Sequence, residues 1–88
     1  MSDSQKIVVY SLETCPNCDL LKSFLKKNGF FYSDLDLADP ANMTELRLNN
    51  VFVREAPVLQ VGNKFLTSKE LFQSGSVREE VLLLCKGE

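Results

Sequence analysis

The stretch KIVVYSLETCPNCDLLKSFLKKNGFFYSDLDL, residues 6–37, decides the fold. It opens with KIVVYS (Lys6–Ser11), a β-branched apolar run typical of a strand buried on both faces. A helix should begin at Pro16, because the N–H that proline lacks would have no intrahelical acceptor at the first helical position. Gly29 should end this helix. FFYSDLDL (Phe30–Leu37) then predicts a second strand. A strand, helix and strand of this length indicate parallel strands joined by a right-handed crossover.

Apolar positions within this unit predict the buried faces. The helix is amphipathic, with an inward stripe of Leu21, Phe24 and Leu25 and a solvent side that carries Lys22, Lys26 and Lys27. Alternation along the second strand places four residues on one face: Phe31, Ser33, Leu35 and Leu37.

The middle of the chain predicts a second helix and a hairpin. Asp39 and Pro40 supply an N-cap and a first helical residue for a helix that should fade near Asn49–Asn50. APVLQV (Ala56–Val61) and KFL (Lys64–Leu66), separated by a Gly-Asn pair, then predict two antiparallel strands.

The last third of the chain predicts helix starts at two capping boxes. TSKE (Thr67–Glu70) is the first, and SVRE (Ser76–Glu79) follows the break at Gly75. One face of the final helix should carry Val77, Val81, Leu84 and Cys85. The order β-α-β-α-β-β-α predicts an α/β fold in which helices cover a four-stranded mixed sheet, and residues 1–88 are expected to form one domain.

Composition narrows the classes of function. The 88 residues are 44% hydrophobic and 25% charged, which is ordinary for a globular domain. A net charge of -2 offers no broad attraction for nucleic acid or an anionic membrane. No apolar run approaches the roughly 18 residues of a membrane span, and MSDSQK lacks the features of a secretion signal. We therefore expect a cytoplasmic monomer that contacts neither nucleic acid nor membrane.

The cysteines allow three kinds of site: half a metal site, a structural disulfide, or a reactive thiol pair. Cys15 and Cys18 lie close together, and Cys85 is far away in the sequence. A persistent structural disulfide is not expected in a reducing compartment. The chain contains no histidine, so a closed zinc site, which takes four ligands, would have too few thiols within one molecule. No metal is expected at this site.

The placement of the pair at a helix start favours redox chemistry. Unpaired N–H groups and the helix dipole stabilise a thiolate at Cys15, and Cys18 lies one turn deeper, where it can resolve a mixed disulfide. Asp19 opposes the thiolate mildly, and Lys22 would support it if its side chain curled back. Cys85 is expected to pack in the core rather than to act as a regulatory thiol.

A family resemblance is carried by KIVVYSLETCPNCDLLKSFLKKNGF, DLD and APVL, followed by VGNKFL and a capped helix. With these segments the chain resembles the dithiol glutaredoxins of the CPxC type, and more closely their NrdH-type redoxins. The resemblance covers about residues 6–84. It implies a thioredoxin-like fold with sheet order 2-1-3-4 and a cis Ala56–Pro57 peptide facing the Cys15 sulfur. The Ala56 backbone would then pair with an extended substrate.

The chain departs from glutathione-dependent relatives at three places. Those proteins usually carry a lysine, an aromatic residue and a Gly-Gly-x-Asp element where this chain has Leu12, Asn17 and LTSKE (Leu66–Glu70). Thr67 and Ser68 still offer N–H groups for a carboxylate, so weak glutathione binding is retained as an alternative. Thr14 and Pro16, which flank Cys15, complete the expected substrate contacts. A protein partner is favoured over glutathione.

The resulting hypothesis is a thiol-disulfide oxidoreductase with Cys15 as nucleophile, Cys18 as resolving thiol and no bound cofactor. The resemblance implies disulfide-containing targets such as ribonucleotide reductase or peroxide-detoxifying enzymes, and recharging by a thioredoxin-reductase-type flavoprotein. Three alternatives stay open: a glutathione-dependent glutaredoxin, a dimer holding zinc or an iron–sulfur cluster between two Cys15/Cys18 pairs, and a redoxin-shaped interaction domain.

Overall fold

The computed structural model describes residues 6–52 and 55–85. Their elements are, in chain order, β1 (Ile7–Ser11), α1 (Pro16–Lys27), β2 (Ser33–Asp36), α2 (Pro40–Leu48), β3 (Val58–Val61), β4 (Lys64–Leu66), α3 (Ser68–Leu71), β5 (Phe72–Gln73), β6 (Ser76–Val77) and α4 (Glu79–Cys85). In these two ranges no helix combines the length and the apolar character that crossing a bilayer requires.

The main sheet has the order β2-β1-β3-β4. β1 pairs with β2 in parallel and with β3 antiparallel, and β4 pairs antiparallel with β3. All five residues of β1 are buried, because packed residues cover the sheet on both faces. The predicted sheet order and the parallel βαβ unit are both confirmed.

Two cores lie on opposite faces of this sheet, because successive strand side chains point to opposite sides. Ile7 and Val9 belong to the larger core, together with residues from α1, α3 and α4. Val8 and Tyr10 belong to the smaller core, which α2 covers through Leu46. The predicted stripe on α1 is confirmed, since its leucines at 21 and 25 are fully buried.

The second strand is shorter than predicted. Its pairing with β1 begins at Ser33, opposite Val8, so the expected alternation does not extend back to Phe31. The Phe31 side chain is 95% exposed, so the prediction that it shares one strand face with Leu37 is wrong. Leu37, at the other end, is buried as expected.

The second predicted capping box is also wrong. Ser76 and Val77 form β6, which pairs with β5 through a tight turn in which Ser74 and Gly75 both have positive φ. Ser76 and Val77, which were predicted to start the last helix, belong to this hairpin instead, so α4 begins only at Glu79. The first box is confirmed, although its helix, α3, is a single turn and adds a fourth helical segment to the three expected.

Candidate active site

Cys15 is the N-cap residue of α1. Its backbone is extended, and its Sγ accepts a hydrogen bond from the Cys18 N–H at 3.1 Å. The Cys15 carbonyl accepts the first helical bond from the Asp19 N–H, also at 3.1 Å. The sulfur therefore faces the N–H groups and the positive end of the helix dipole, which stabilise negative charge.

The two cysteines of the CPNC motif form a disulfide, with their Cα atoms 5.2 Å apart. Their exposure differs sharply. Cys18 is 1% exposed, whereas Cys15 is only half-buried. A bulky reagent would therefore reach the Cys15 sulfur first, while Cys18 is accessible mainly from its partner sulfur.

The second wall of the site is the loop before β3. The Ala56–Pro57 peptide is cis, as the family resemblance implied. The Ala56 carbonyl oxygen lies 3.9 Å from Cys15 Sγ, so this backbone faces the reactive sulfur. Pro57 is fully buried and leads into Val58, which pairs with Tyr10 of the central strand.

Exposed side chains surround the sulfur on the α1 side. Leu12, Thr14, Pro16 and Asn17 are all exposed, and Thr14 adopts a φ of +51°. A β-branched residue rarely takes this conformation, so the loop that delivers Cys15 is locally strained. The strained residue, Thr14, immediately precedes Cys15, the N-cap residue of α1.

The start of α3 is already bonded to acidic side chains of the chain itself. The Glu70 carboxylate accepts hydrogen bonds from the Thr67 N–H at 3.0 Å and from the Thr67 hydroxyl at 3.2 Å. The Ser68 hydroxyl donates to the Glu55 carboxylate at 3.2 Å. The Thr67 N–H, expected to be available to a substrate carboxylate, is therefore occupied.

Lys22 does not turn towards the cysteines. Its Nζ lies 2.7 Å from Asp34 Oδ2, and the Ser11 hydroxyl donates to Asp34 Oδ1, also at 2.7 Å. Burial raises the pKa of Asp34, but the hydrogen bonds from Lys22 and Ser11 outweigh it and hold that pKa below the ordinary value. These three residues line a pocket of about 310 Å³ together with Leu12, Glu13, Leu35 and Asp36. The predicted βαβ unit brings α1 close to β2 but does not specify which of their side chains pair, so sequence reasoning missed this cluster.

The structure also shows the surroundings of Cys85, Tyr10 and Arg47. Cys85 is buried in the larger core, as predicted, and burial raises the pKa of its thiol to about 11. The Tyr10 hydroxyl donates to the Gln60 side chain. Arg47 is exposed, and Arg54 lies outside the described residues. Within the described residues, no three His, Cys, Asp or Glu side chains converge to hold a metal ion.

Comparison with known proteins adds three findings. The family model for glutaredoxin matches residues 7–66. N-acetyl-S-hydroxy-L-cysteine reductase of Bacillus subtilis (strain 168) is 31% identical over 62 residues, which cover 70% of this chain and 67% of that protein. The structure of the glutaredoxin-like protein NrdH-redoxin from Escherichia coli matches with a TM-score of 0.58 and 21% identity, over 70% of this chain and 80% of that one. That structural match shows a shared thioredoxin-like fold.

Proposed function

The chain belongs to the glutaredoxin family of thiol redox proteins, as its resemblance predicted, and from this premise we propose that it reduces disulfides of protein partners through Cys15 and Cys18. One observation carries the proposal. The accessible sulfur of the pair caps a helix start and accepts the Cys18 N–H, while the second sulfur is buried directly beneath it. This asymmetry suits a nucleophile and a resolving thiol.

The first step is attack by the Cys15 thiolate on one sulfur of a target disulfide. A bond forms between Cys15 Sγ and that sulfur, the target S–S bond breaks, and its electron pair leaves with the other target sulfur. The departing thiolate takes a proton from water. The Ala56 backbone, whose carbonyl lies 3.9 Å from Cys15 Sγ, would hold the target segment as an added strand.

The second step releases the reduced target. The Cys18 thiol loses its proton and attacks Cys15 Sγ, the intermolecular S–S bond breaks, and the electron pair leaves with the target sulfur. Two electrons have then passed from the dithiol to the target, and the Cys15–Cys18 disulfide has closed again. The disulfide is itself the redox group, so no further cofactor is required.

We propose a thioredoxin-reductase-type flavoprotein as the electron donor and disulfide-containing proteins such as ribonucleotide reductase as targets. The Escherichia coli protein of the same fold is described as having a thioredoxin-like activity profile, which supports this assignment. Leu12 and Asn17, exposed beside the cysteines, supply neither the cation nor the aromatic wall of glutathione users. We place this monomer in the cytoplasm, where thiols are kept reduced.

The test supplies the oxidised protein with NADPH, with insulin as the disulfide substrate that accepts the electrons, and with either thioredoxin reductase or glutathione plus glutathione reductase. We expect rapid NADPH consumption with thioredoxin reductase and little with the glutathione system, and Cys15→Ser should consume none with either. Turnover by glutathione alone would overturn the assignment of the donor. Equal activity of Cys15→Ser would overturn the dithiol mechanism.

A second candidate substrate is a small sulfenic acid, the class named for the Bacillus subtilis relative. Cys15 would attack the sulfur of R–S–OH, water would leave after protonation of the hydroxyl group, and Cys18 would release R–SH while the disulfide closed. The assay follows formation of N-acetylcysteine from its sulfenic acid by mass spectrometry. Formation that requires both cysteines supports this substrate, and formation at the uncatalysed rate excludes it.

A further inference from the structure

Three described segments, which either contain Cys15 or are linked to it through the Ala56 loop, carry mainly negative charge. These are residues 12–19 before and within the start of α1, residues 55–58 beside the sulfur, and residues 67–70 at α3. They contain four acidic residues, Glu13, Asp19, Glu55 and Glu70, and one basic residue, Lys69. At neutral pH the three segments together therefore carry a net charge of -3, which is more negative than the net charge of the whole chain, -2.

Two of these carboxylates are fixed by hydrogen bonds, one in the Ala56 loop that faces the sulfur and one at the start of α3. Glu55 immediately precedes Ala56, whose carbonyl is 3.9 Å from Cys15 Sγ, and it accepts the Ser68 hydroxyl at 3.2 Å. Glu70 is fixed by the Thr67 N–H and hydroxyl. These contacts hold negative charge where a substrate carboxylate would otherwise meet the start of α3.

The pocket next to Leu12 offers no free cation in compensation among the residues that line it. The pocket next to Leu12 contains one lysine, Lys22, and that lysine is paired with Asp34 at 2.7 Å. Glu13 and Asp36 line the same pocket and add negative charge. A substrate approaching along either described surface therefore meets carboxylates.

We propose that this site selects disulfides by charge: it prefers neutral or cationic disulfides, such as protein cystines flanked by lysine or arginine, and rejects anionic ones such as glutathione disulfide. Glu55 and Glu70 are the specificity-determining residues. The inference rests on the proposed function, because it names the substrate class of the same Cys15–Cys18 reaction. In water, one carboxylate at about 8 Å from a substrate charge changes a rate roughly twofold.

The experiment compares three small disulfides of different charge. The reduced protein reacts with cystamine (cationic), 2-hydroxyethyl disulfide (neutral) and 3,3'-dithiodipropionate (anionic) at low salt. The chain contains no tryptophan, so quenched-flow alkylation with mass spectrometry follows the free thiols instead of fluorescence. Each rate constant is divided by the rate constant for 2-mercaptoethanol reacting with the same disulfide. The resulting corrected rate no longer contains the intrinsic reactivity of the disulfide or the effect of the charge on the attacking thiolate.

We expect the corrected rate for cystamine to exceed that for dithiodipropionate by about tenfold, with the neutral disulfide between them. The ratio should fall towards one at 1 M salt, where the Debye length is about 3 Å. In the double variant Glu55→Gln/Glu70→Gln the ratio should fall at least threefold. Glutamine keeps the oxygen acceptors for Ser68 and Thr67, so the local fold is preserved.

Glu80→Gln is the matched control, because Glu80 is on α4 and outside the three segments. It should leave the ratio unchanged. Arg54 precedes Glu55 in the sequence, so an Arg54→Gln variant measures any opposing cationic effect, and it should raise the ratio or leave it unchanged. A wild-type ratio of one or less, or a double variant with the wild-type ratio, overturns the inference alone. If none of the three disulfides is reduced, the proposed function fails as well.

Discussion

The backbone N–H of Cys18 points at the Cys15 sulfur across 3.1 Å. The Cys18 backbone N–H can therefore stabilise negative charge on the Cys15 sulfur, while the Cys18 side chain itself is buried. The same helix start thus sets both the reactivity of the first sulfur and the position of the second.

Substitution of either cysteine should separate the two steps of the reaction. Cys18→Ser should trap a mixed disulfide between Cys15 and a protein target, because no thiol is left to resolve it. Cys15→Ser should abolish insulin disulfide reduction, since the buried Cys18 cannot reach a protein substrate. Non-reducing gels and a turbidity assay of insulin measure both effects. Full activity of Cys15→Ser would contradict the assignment.

The reduced Cys15 sulfur should be a thiolate at neutral pH. We expect iodoacetamide to alkylate it rapidly at pH 7, at a rate that falls only under more acidic conditions, because the helix start favours the charged form. Mass spectrometry of the pH series identifies the modified residue. A sulfur that remained protonated near pH 8 would contradict this electrostatic account.

Cys85 should be unreactive in the folded protein. Burial raises the pKa of its thiol from 9.0 to about 11, so an aromatic disulfide reagent at pH 8 should modify it only after unfolding. The unfolded thiol ionises first as the pH rises from about 9 to 11, so the free energy of unfolding should fall over that interval. Urea titrations should show a shallower fall for Cys85→Ala, and equal slopes would contradict the prediction.

The ion pair between Lys22 and Asp34 should contribute a small, pH-dependent stability. The folded pKa of Asp34 is lowered, so the contribution is present above the ordinary carboxyl pKa and is lost as the pH falls through the folded value. Because the Asp34 side chain is 47% exposed, we expect Asp34→Asn to cost only about 0.5–1 kcal/mol at pH 7.

A double-mutant cycle with Lys22→Gln isolates this pair, using urea titrations at pH 7 and at strongly acidic pH. The coupling free energy should be measurable at pH 7 and should vanish at the acidic end. A coupling that did not depend on pH would show that the cost comes from packing instead of charge.

Local signals predicted most of the fold. The β-branched run of β1, the proline at the start of α1 and the Gly-Asn turn each define an element through short-range sterics. The two wrong predictions, at Phe31 and Ser76, arose because a local sequence pattern does not specify which residues pair as strands. Phe31 continues an alternating pattern, but pairing with β1 starts only at Ser33. Ser76 opens a credible capping box, but a turn with Gly75 at φ +80° uses it in a hairpin.

The sequence by itself determined the reactive pair, its place at the start of α1 and the strand order of the sheet, because residues close in the chain or a family pattern specify these features. Only the tertiary structure decided how the charged side chains pair. Lys22 pairs with Asp34, and Ser68 bonds Glu55, between side chains that belong to different segments of the fold. Side-chain contacts of this kind depend on how helices pack against strands, and no local spacing encodes that packing.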